Sequence, residues 1–477
     1  EGYGVLIHNG CNRCGVTGIG EVVGFNGSGI QIGFNGSYSN PSLNYPASEQ
    51  CFVIGQTVRD CYAQGIAHVN CKNTIITKNH VYNIGHPQAK DSDVMYDPGY
   101  GIVTGHSVGI NAEGALITDN YVHHCNRKGI DLHSGVNYTI ADNKVTDCRV
   151  VGIFVSQSDV PNVYTRNNKV LRNTIIKCGT APASNRYQNL GGIQIYNLIG
   201  SRNDVEVIDN TLLDCVSARG AINIDAGTHN IVRGNTIRGS NYATDTAKFS
   251  AISVGAYSGV QTVSSTIVEN NYIVTNNYMV KGITTNNGSG LIKDNLVVLE
   301  GVPNWGVEQI VDAQKFDFIG NHVTANTAAT AYVIEKTSGI KLRNTATLGT
   351  GAVLGLNTTK NLGEPLIASC IVNFNNTDSP TLTVINGGNI IDGLSASIYG
   401  VQLNLKNLNT TDKVIATVSR LSSEGLVSGS GNVNYIYIRD AKSSFVLLGL
   451  QTAPATSHIQ TRDIVRGNFR IDITITN

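Results

Sequence analysis

Charge is scarce in this 477-residue chain: Asp, Glu, Lys and Arg make up 14%, and 34 bases balance 34 acids. With no excess of either sign, no global field draws in nucleic acid or an anionic membrane, and neither is expected as a partner. Proline is sparse, at 10 residues, and there is one Trp. No apolar run approaches the roughly 20 residues that span a bilayer. No long segment carries the period of an amphipathic helix. No secretory leader is recognisable, and the chain starts at Glu1 rather than Met, so an N-terminal part is expected to be missing. What abounds is Gly, at 52 residues, with Asn, Thr, Ser, Val and Ile. That mixture favours short stacked strands and tight turns.

One phrase recurs nine times: an apolar residue, one or two polar ones, Asn, any residue, then Val, Ile or Leu. Examples are I-T-K-N-H-V ending at Val81, I-A-D-N-K-V and V-I-D-N-T-L. The Asn residues are Asn79, Asn120, Asn143, Asn173, Asn210, Asn235, Asn271, Asn295 and Asn321, separated by 41, 23, 30, 37, 25, 36, 24 and 26 residues. A floor near 23 with insertions above it is the signature of a solenoid whose coils carry loops of different length. Asn suits a sharp corner, because it tolerates left-handed dihedrals and bonds neighbouring backbone. Stacked at about 4.8 Å per coil, such residues form an amide ladder, so the Asn is expected to be structural.

Cys61, Cys125, Cys148, Cys178 and Cys215 follow the corner position by five residues, with Gln56 standing in for Asn in the first case. They read as a buried stack of small thiols rather than a disulfide framework. Cys11 and Cys14 form a lone C-x-x-C without the second pair that zinc requires. The thiols point to assembly in a reducing compartment. A strand opening on Gly recurs as well: G-I-A-H-V at Gly65, G-I-V-T-G at Gly101, G-I-D-L-H at Gly129, G-I-F-V-S at Gly152 and G-I-Q-I-Y at Gly192, with A-I-N-I-D at Ala221 and A-I-S-V-G at Ala251. Each repeat thus holds three short strands: one from the Gly, one before the Asn and one after it.

Three strands per coil, a corner Asn and coils of at least 23 residues resemble the right-handed parallel β-helix of pectate-lyase-like proteins, over residues 1–344. From 345 to 477 the pattern changes to alternating strands such as S-I-Y-G-V-Q-L-N-L and F-R-I-D-I-T-I-T, which predict an antiparallel, sandwich-like domain. A β-helix exposes an open edge at its last coil, and this domain is expected to cap it or to mediate trimerisation. The whole arrangement is similar to bacteriophage tailspikes. That resemblance implies a homotrimer in the virion, joined to the tail baseplate through the missing N-terminal region. It also implies binding and depolymerisation of bacterial capsule or O-chain polysaccharide at the cell surface.

Alternation assigns the faces of the Gly-led strands. In G-I-D-L-H, Ile130 and Leu132 point inward, so Asp131 and His133 point outward. The same register sends out Val103, Phe154, Ser156, Gln194, Tyr196, Asn223, Asp225, Ser253 and Thr284. His68 reads as an inward core residue. The intervals single out this strand as well. From its Gly or Ala to the next Asn takes 13 or 14 residues in short coils, but 19 from Gly101, 21 from Gly152, 18 from Gly192 and 20 from Ala251. From Asn to the next such strand takes 9 to 11, but 22 after Asn79, 19 after Asn173 and 16 after Asn235. Long loops on a rigid scaffold usually carry function, and these would wall a groove over the outward stripe.

Glycoside hydrolysis uses two carboxylates, about 5 Å apart for retention and roughly 6.5–9.5 Å for inversion. Asp131 with Glu113 or Asp159 is the expected pair, with His133 beside it. His106, Phe154, Gln194, Tyr196, Asn223, Asp225 and Tyr257 are expected to bind the sugar chain. Asp225 stands three coils from Asp131, about 14 Å, too far for one catalytic pair. Asp91, Asp93 and Asp97 form an acidic cluster that could take Ca²⁺, though their neighbours equally suit a plain surface loop; no other cofactor is expected. A polysaccharide lyase is the alternative. The stripe as read holds no Lys or Arg, which counts against a lyase that pairs Ca²⁺ with a basic residue, whereas His133 remains as a base. A non-catalytic adhesin needs the groove alone, and a C5-epimerase is a remoter reading.

Overall fold

The computed structural model describes residues 2–348 except 19, 34–45, 86–97, 106–111, 158–164, 180–190, 197–203, 216–219, 226, 240–248, 256–262, 277–278, 287, 301–304, 310–314, 326–328 and 335–341. Beyond 348 it describes the backbone of ten strands. The described residues are all strand and turn, and the fold is a right-handed parallel β-helix. Two compact units are described in turn: residues 1–273 with 283–290, and 274–282 with 291–477.

In the first unit the Gly-led strands stack in parallel, from Val5–Ile7 and Ser28–Ile32 through Gln64–Val69, Tyr100–Gly105, Lys128–His133, Val151–Ser156 and Gly191–Tyr196 to Gly220–Ile224 and Phe249–Val254. Strands before each Asn form a second parallel ladder, as Ile75–Thr77, Leu116–Thr118 and Thr139–Ala141 do. Strands after it form a third, as His80–Ile84, Tyr121–Cys125 and Lys144–Thr146 do. These are the three strands per coil that the repeat predicts. The alternation-free burial of the long strands, such as Val151–Ser156, reflects a sheet covered on both faces.

The corner Asn behaves differently from expectation in one respect. The left-handed residue is the one before it: Lys78 at φ 58°, Asp119 at 55°, Asp142 at 58°, Arg172 at 51° and Asp209 at 56°. The Asn itself supplies the ladder. Asn120 Nδ2 and its backbone N–H both donate to Asn143 Oδ1, at 2.9 and 3.0 Å, while Nδ2 also reaches the Ile76 carbonyl at 2.9 Å. Asn143 repeats this on Asn173, and Asn173 on Asn210. Every donor and acceptor of the buried amide is used, which is why burial is tolerated. Gln56 continues the ladder at its start by donating its backbone N–H to Asn79 Oδ1. The described cysteines are free thiols, and the five in the repeated slot are buried.

In the second unit Leu296–Leu299 pairs in parallel with Lys315–Ala325, which pairs in parallel with Leu342–Leu348. Asn321 bonds Asn344, one rung beyond the nine repeats legible in the sequence. The topology switches on Leu342–Leu348, whose other edge pairs antiparallel with Thr381–Asn386. Leu366–Asn373, Lys413–Arg420 and Asn468–Thr476 extend that antiparallel sheet. A separate four-stranded antiparallel sheet holds Ile391–Ser397, Gly400–Leu405, Phe445–Thr452 and Val433–Lys442. The antiparallel strand covers the edge of that sheet, while the long-strand sheet ends on Thr330–Ile334 among the described strands.

Candidate functional site

The outward face of the long-strand sheet is aligned by register: Gln31, Ala67, Val103, Asp131, Phe154, Gln194, Asn223 and Ser253 follow one another across the coils. Gly129 alters this face. A Cβ there would lie 2.4 Å from Val145 Cγ1 and 2.6 Å from the Gly152 carbonyl, so its open side faces inward, as Ile130 does. Two successive inward positions break the alternation, and the ladder runs Lys128↔Val151 and Ile130↔Ile153 across the gap. Lys128 therefore shares the outer face with Asp131.

That placement corrects the reading of a stripe without cations. Lys128 Nζ donates to Asp131 Oδ2 at 3.0 Å, and the side chains are only 7% and 2% exposed. The ammonium also sits 3.6 Å from the centroid of the Phe154 ring, a cation–π contact. Burial pulls Lys128 down to about 8, against the opposing pull of Asp131. Beside it, burial pushes the Tyr100 hydroxyl up to about 12. One ring face of Phe154 is thus occupied by the ammonium. Tyr196, 6.3 Å from it between centroids, is half-buried and is the aromatic with more area to offer a ligand.

Further along, Gln194, Asn223 and Asp225 form a buried network. Gln194 Nε2 donates to Asp225 Oδ2 at 2.9 Å, and Asn223 Nδ2 donates to Gln194 Oε1 at 2.7 Å and to Asp225 Oδ1 at 3.1 Å. Three polar atoms on this face have no hydrogen-bond partner among the described residues: Asp131 Oδ1, Ser156 Oγ and Asn223 Oδ1. A buried, unpaired polar atom costs about 1–3 kcal/mol, and such atoms also occur in the core, at His68, Thr74 and Tyr138.

Of the two expected carboxylate partners, Glu113 is described and stands apart from Asp131. Glu113 lies in a fourth, minor ladder, bridged between Lys72 and Val136 beyond the turn at Ser134. It is exposed, and its Oε1 accepts from Asn137 Nδ2 at 3.2 Å. No described contact joins it to Asp131. His133 closes the Asp131 strand, half-buried, its backbone N–H bonded to Thr104 Oγ1. His68 is in the core, where burial drives it down to about 3. His106, Asp159, Tyr257, Asp91, Asp93 and Asp97 lie outside the described residues. Lys128 is the residue that sequence reasoning missed. The signal for it was the column before each Gly, Gln64, Tyr100, Lys128 and Val151, which stacks in register like the others.

A family model described as periplasmic copper-binding protein (NosD) matches residues 16–250, just under half of the chain. No curated protein matches. Among solved structures, the Pseudomonas phage phi297 tailspike gp61 is 13% identical with a TM-score of 0.41, covering 90% of this chain and 67% of that one. A tailspike double mutant of E. coli bacteriophage HK620, in complex with a pentasaccharide, is 9% identical with a TM-score of 0.45, covering 99% and 87%. An alginate lyase from Paenibacillus sp. is 12% identical with a TM-score of 0.33, covering 71% and 89%. Among the described residues no three His, Cys, Asp or Glu side chains are grouped to hold a metal ion.

Proposed function

We propose that this chain is a tailspike-type depolymerase that binds a bacterial capsule or O-chain polysaccharide along the outward face of its long-strand sheet and hydrolyses it. The observation that carries this is the registered row of polar side chains, Asp131, Ser156, Gln194, Asn223 and Asp225, beside the half-buried Tyr196. Sugar hydroxyls both donate and accept, so they suit such groups, and a sugar ring suits an aromatic face. The long insertions counted from the corner Asn residues flank the same strand. In this reading the N-terminal attachment region, homotrimeric assembly and virion location follow the tailspike pattern, and the C-terminal antiparallel domain caps or trimerises the spike.

Hydrolysis assigns roles as follows. Asp131, bonded to an ammonium, acts as the carboxylate base or nucleophile. The acid falls to Asp159, with His133 as an auxiliary proton carrier. Gln194, Asn223 and Asp225 hold sugar several coils away. A second reading, β-elimination at a uronate, is favoured by Lys128: an amine pulled down to about 8 is a base near working pH.

Incubation with capsular polysaccharide separates the readings. New reducing ends without unsaturated-uronate absorbance support hydrolysis; that absorbance means elimination; an intact polymer that binds means an adhesin. Asp131→Asn is expected to abolish cleavage while binding persists. Wild-type activity in that variant overturns the assignment of Asp131.

A further inference from the structure

The first described coil carries a feature that the polysaccharide reading does not use. Of the nine described cysteines, seven are buried, and Cys11 and Cys14 are half-exposed. They flank a corner at Asn12 and Arg13, where Arg13 is left-handed at φ 57°. The corner recurs in the next coils, with Gln50 at φ 55° and Asn73 at φ 53°. Asn12 bridges to Glu49, and Ser48–Glu49 pairs with Cys71–Lys72, so Cys11 is in line with Ser48 and Cys71. Gly15–Thr17 pairs with Phe52–Ile54, and that strand with Ile75–Thr77, so Cys14 is in line with Cys51 and Thr74. Those four later residues point inward, at most 1% exposed. Cys11 and Cys14 therefore face each other from the two sides of one corner. Their side chains are in contact: burial raises the Cys11 thiol, and the Cys14 side chain, hydrogen-bonded to it, raises it further. Cys14 Sγ also donates to the Asn12 carbonyl, inside the turn, at 3.6 Å.

We infer that Cys11 and Cys14 are a modification site, a dithiol that closes to a disulfide across the first corner when the chain meets a small-molecule disulfide of the glutathione type. A bridge needs Cα atoms about 4.4–6.8 Å apart and Cβ vectors turned toward each other. Two residues that flank one corner and both face inward meet the second condition, and the contact of their side chains brings the sulfurs within reach. Cys51 is the competing partner, in line with Cys14 in the next coil. It is wholly buried, and its Sγ already donates to the Cys11 and Glu49 carbonyls, each at 3.6 Å. No reagent reaches it without opening the coil, whereas both members of the corner pair are half-exposed.

The small disulfide is the oxidant, and the exchange balances. One Cys thiolate attacks a sulfur of the reagent, and the reagent's other half leaves as a thiolate that takes up a proton. The second Cys thiolate then displaces the half still attached, which leaves in the same way. The protein gives up two protons and two electrons, and the small disulfide becomes two thiols. The buried thiols do not follow. Burial shields them from the reagent and holds Cys148, Cys178 and Cys215 well above the ordinary thiol range, so little thiolate forms there. The bridge joins the head of the minor ladder, beside Asn12, to the head of the ladder that starts at Gly15. Such a pair stays open in a reducing compartment and closes outside it. The inference rests on this corner and does not depend on the polysaccharide reading.

The test is exposure of the full folded chain to oxidised glutathione near pH 8.5, about the ordinary thiol value, followed by thiol titration in denaturant. The chain has ten cysteines, and two of the ten thiols should be lost. The intact mass should show no glutathione retained. Trypsin cuts between the pair, after Arg13, and a Glu-specific protease cuts after Glu21 and Glu49, which separates Cys14 from Cys51. The peptide ending at Arg13 should stay joined to the peptide Cys14–Glu21 until a reductant is added. Cys11→Ser and Cys14→Ser should each lose one thiol and carry one glutathione, because the mixed disulfide has no partner to resolve it. Cys51→Ala should close as the wild type does. Ten thiols surviving the oxidation, a glutathione held by the wild-type chain, or a bridge to Cys51 each overturns the proposal.

Discussion

Asn143 and Asp131 lie in the same coil and are both almost wholly buried, at 1% and 2% exposed. Asn143 donates to Asn173 and to the Ile117 carbonyl, and accepts from the side chain and backbone of Asn120. Asp131 accepts one side-chain bond, from Lys128, and its other oxygen has no partner among the described residues. The corner ladder spends its polarity inside the scaffold. The outward face retains polar atoms that the scaffold does not use. Two stacks built on the same coil spacing thus differ in how completely the scaffold uses their polar groups.

The sharpest way to break that contrast is to remove one charge. Lys128→Met leaves Asp131 buried without its ammonium, and losing one partner of a buried pair costs about 3–5 kcal/mol. The double variant Lys128→Met/Asp131→Leu should regain most of that loss, because apolar replacements of a buried pair are often neutral or stabilising. Denaturant midpoints measure both. If the double variant is as unstable as the single, the pair is a structural staple and the outward face resembles the corner.

Asn143→Ala is the matching change in the corner. It strands the Nδ2 and backbone N–H of Asn120, both of which donate to Asn143 Oδ1. A loss of about 2–3 kcal/mol is expected. No single apolar partner rescues it, because each Asn serves two neighbours. Unchanged polysaccharide binding by the folded fraction, measured by pull-down, would keep function off this ladder.

The corner was legible because identical chemistry recurs at each coil. Asn, the Gly of the long strand and the Cys five residues on are periodic, and periodicity survives insertions. The left-handed position escaped notice because its occupants differ: Lys78, Asp119, Asp142 and Arg172 all take it. Lys128 escaped because strict alternation puts it inside, and only the extra inward position at Gly129 turns it out. The pairing of Asp131 with Glu113 rests on coil spacing and on the place of Glu113 in the loop after the Gly101 strand. Glu113 instead takes the minor-ladder position that Lys72 and Val136 hold in the neighbouring coils, and no interval counted from the Asn could show this. The sequence thus carried the repeating frame, and the outward face depended on local departures from it.

A third stack, the thiols, lies between the two in character and yields the smallest effect. Burial holds Cys148, Cys178 and Cys215 well above the ordinary thiol range, and pushes Cys71 up to about 12. In the unfolded chain these thiols ionise near 8.5, whereas the folded chain keeps its protons. The unfolded state therefore binds fewer protons above that pH, and stability falls as pH rises, by up to about 1.4 kcal/mol per pH unit for each thiol. Cys148→Ala removes one share and should flatten the alkaline decline. Lys128 has the opposite sign: its folded value, about 8, is below the ordinary 10.5. Between those values the unfolded chain holds the extra proton, so this group's contribution rises with pH. Lys128→Met should therefore steepen the decline over that window while Cys148→Ala flattens it. Denaturation midpoints taken at half-unit steps from pH 7.5 to 10.5 (roughly the span between the two titrations) decide it. Parallel curves for the two variants would mean that the charge on the outward face is not held out of water.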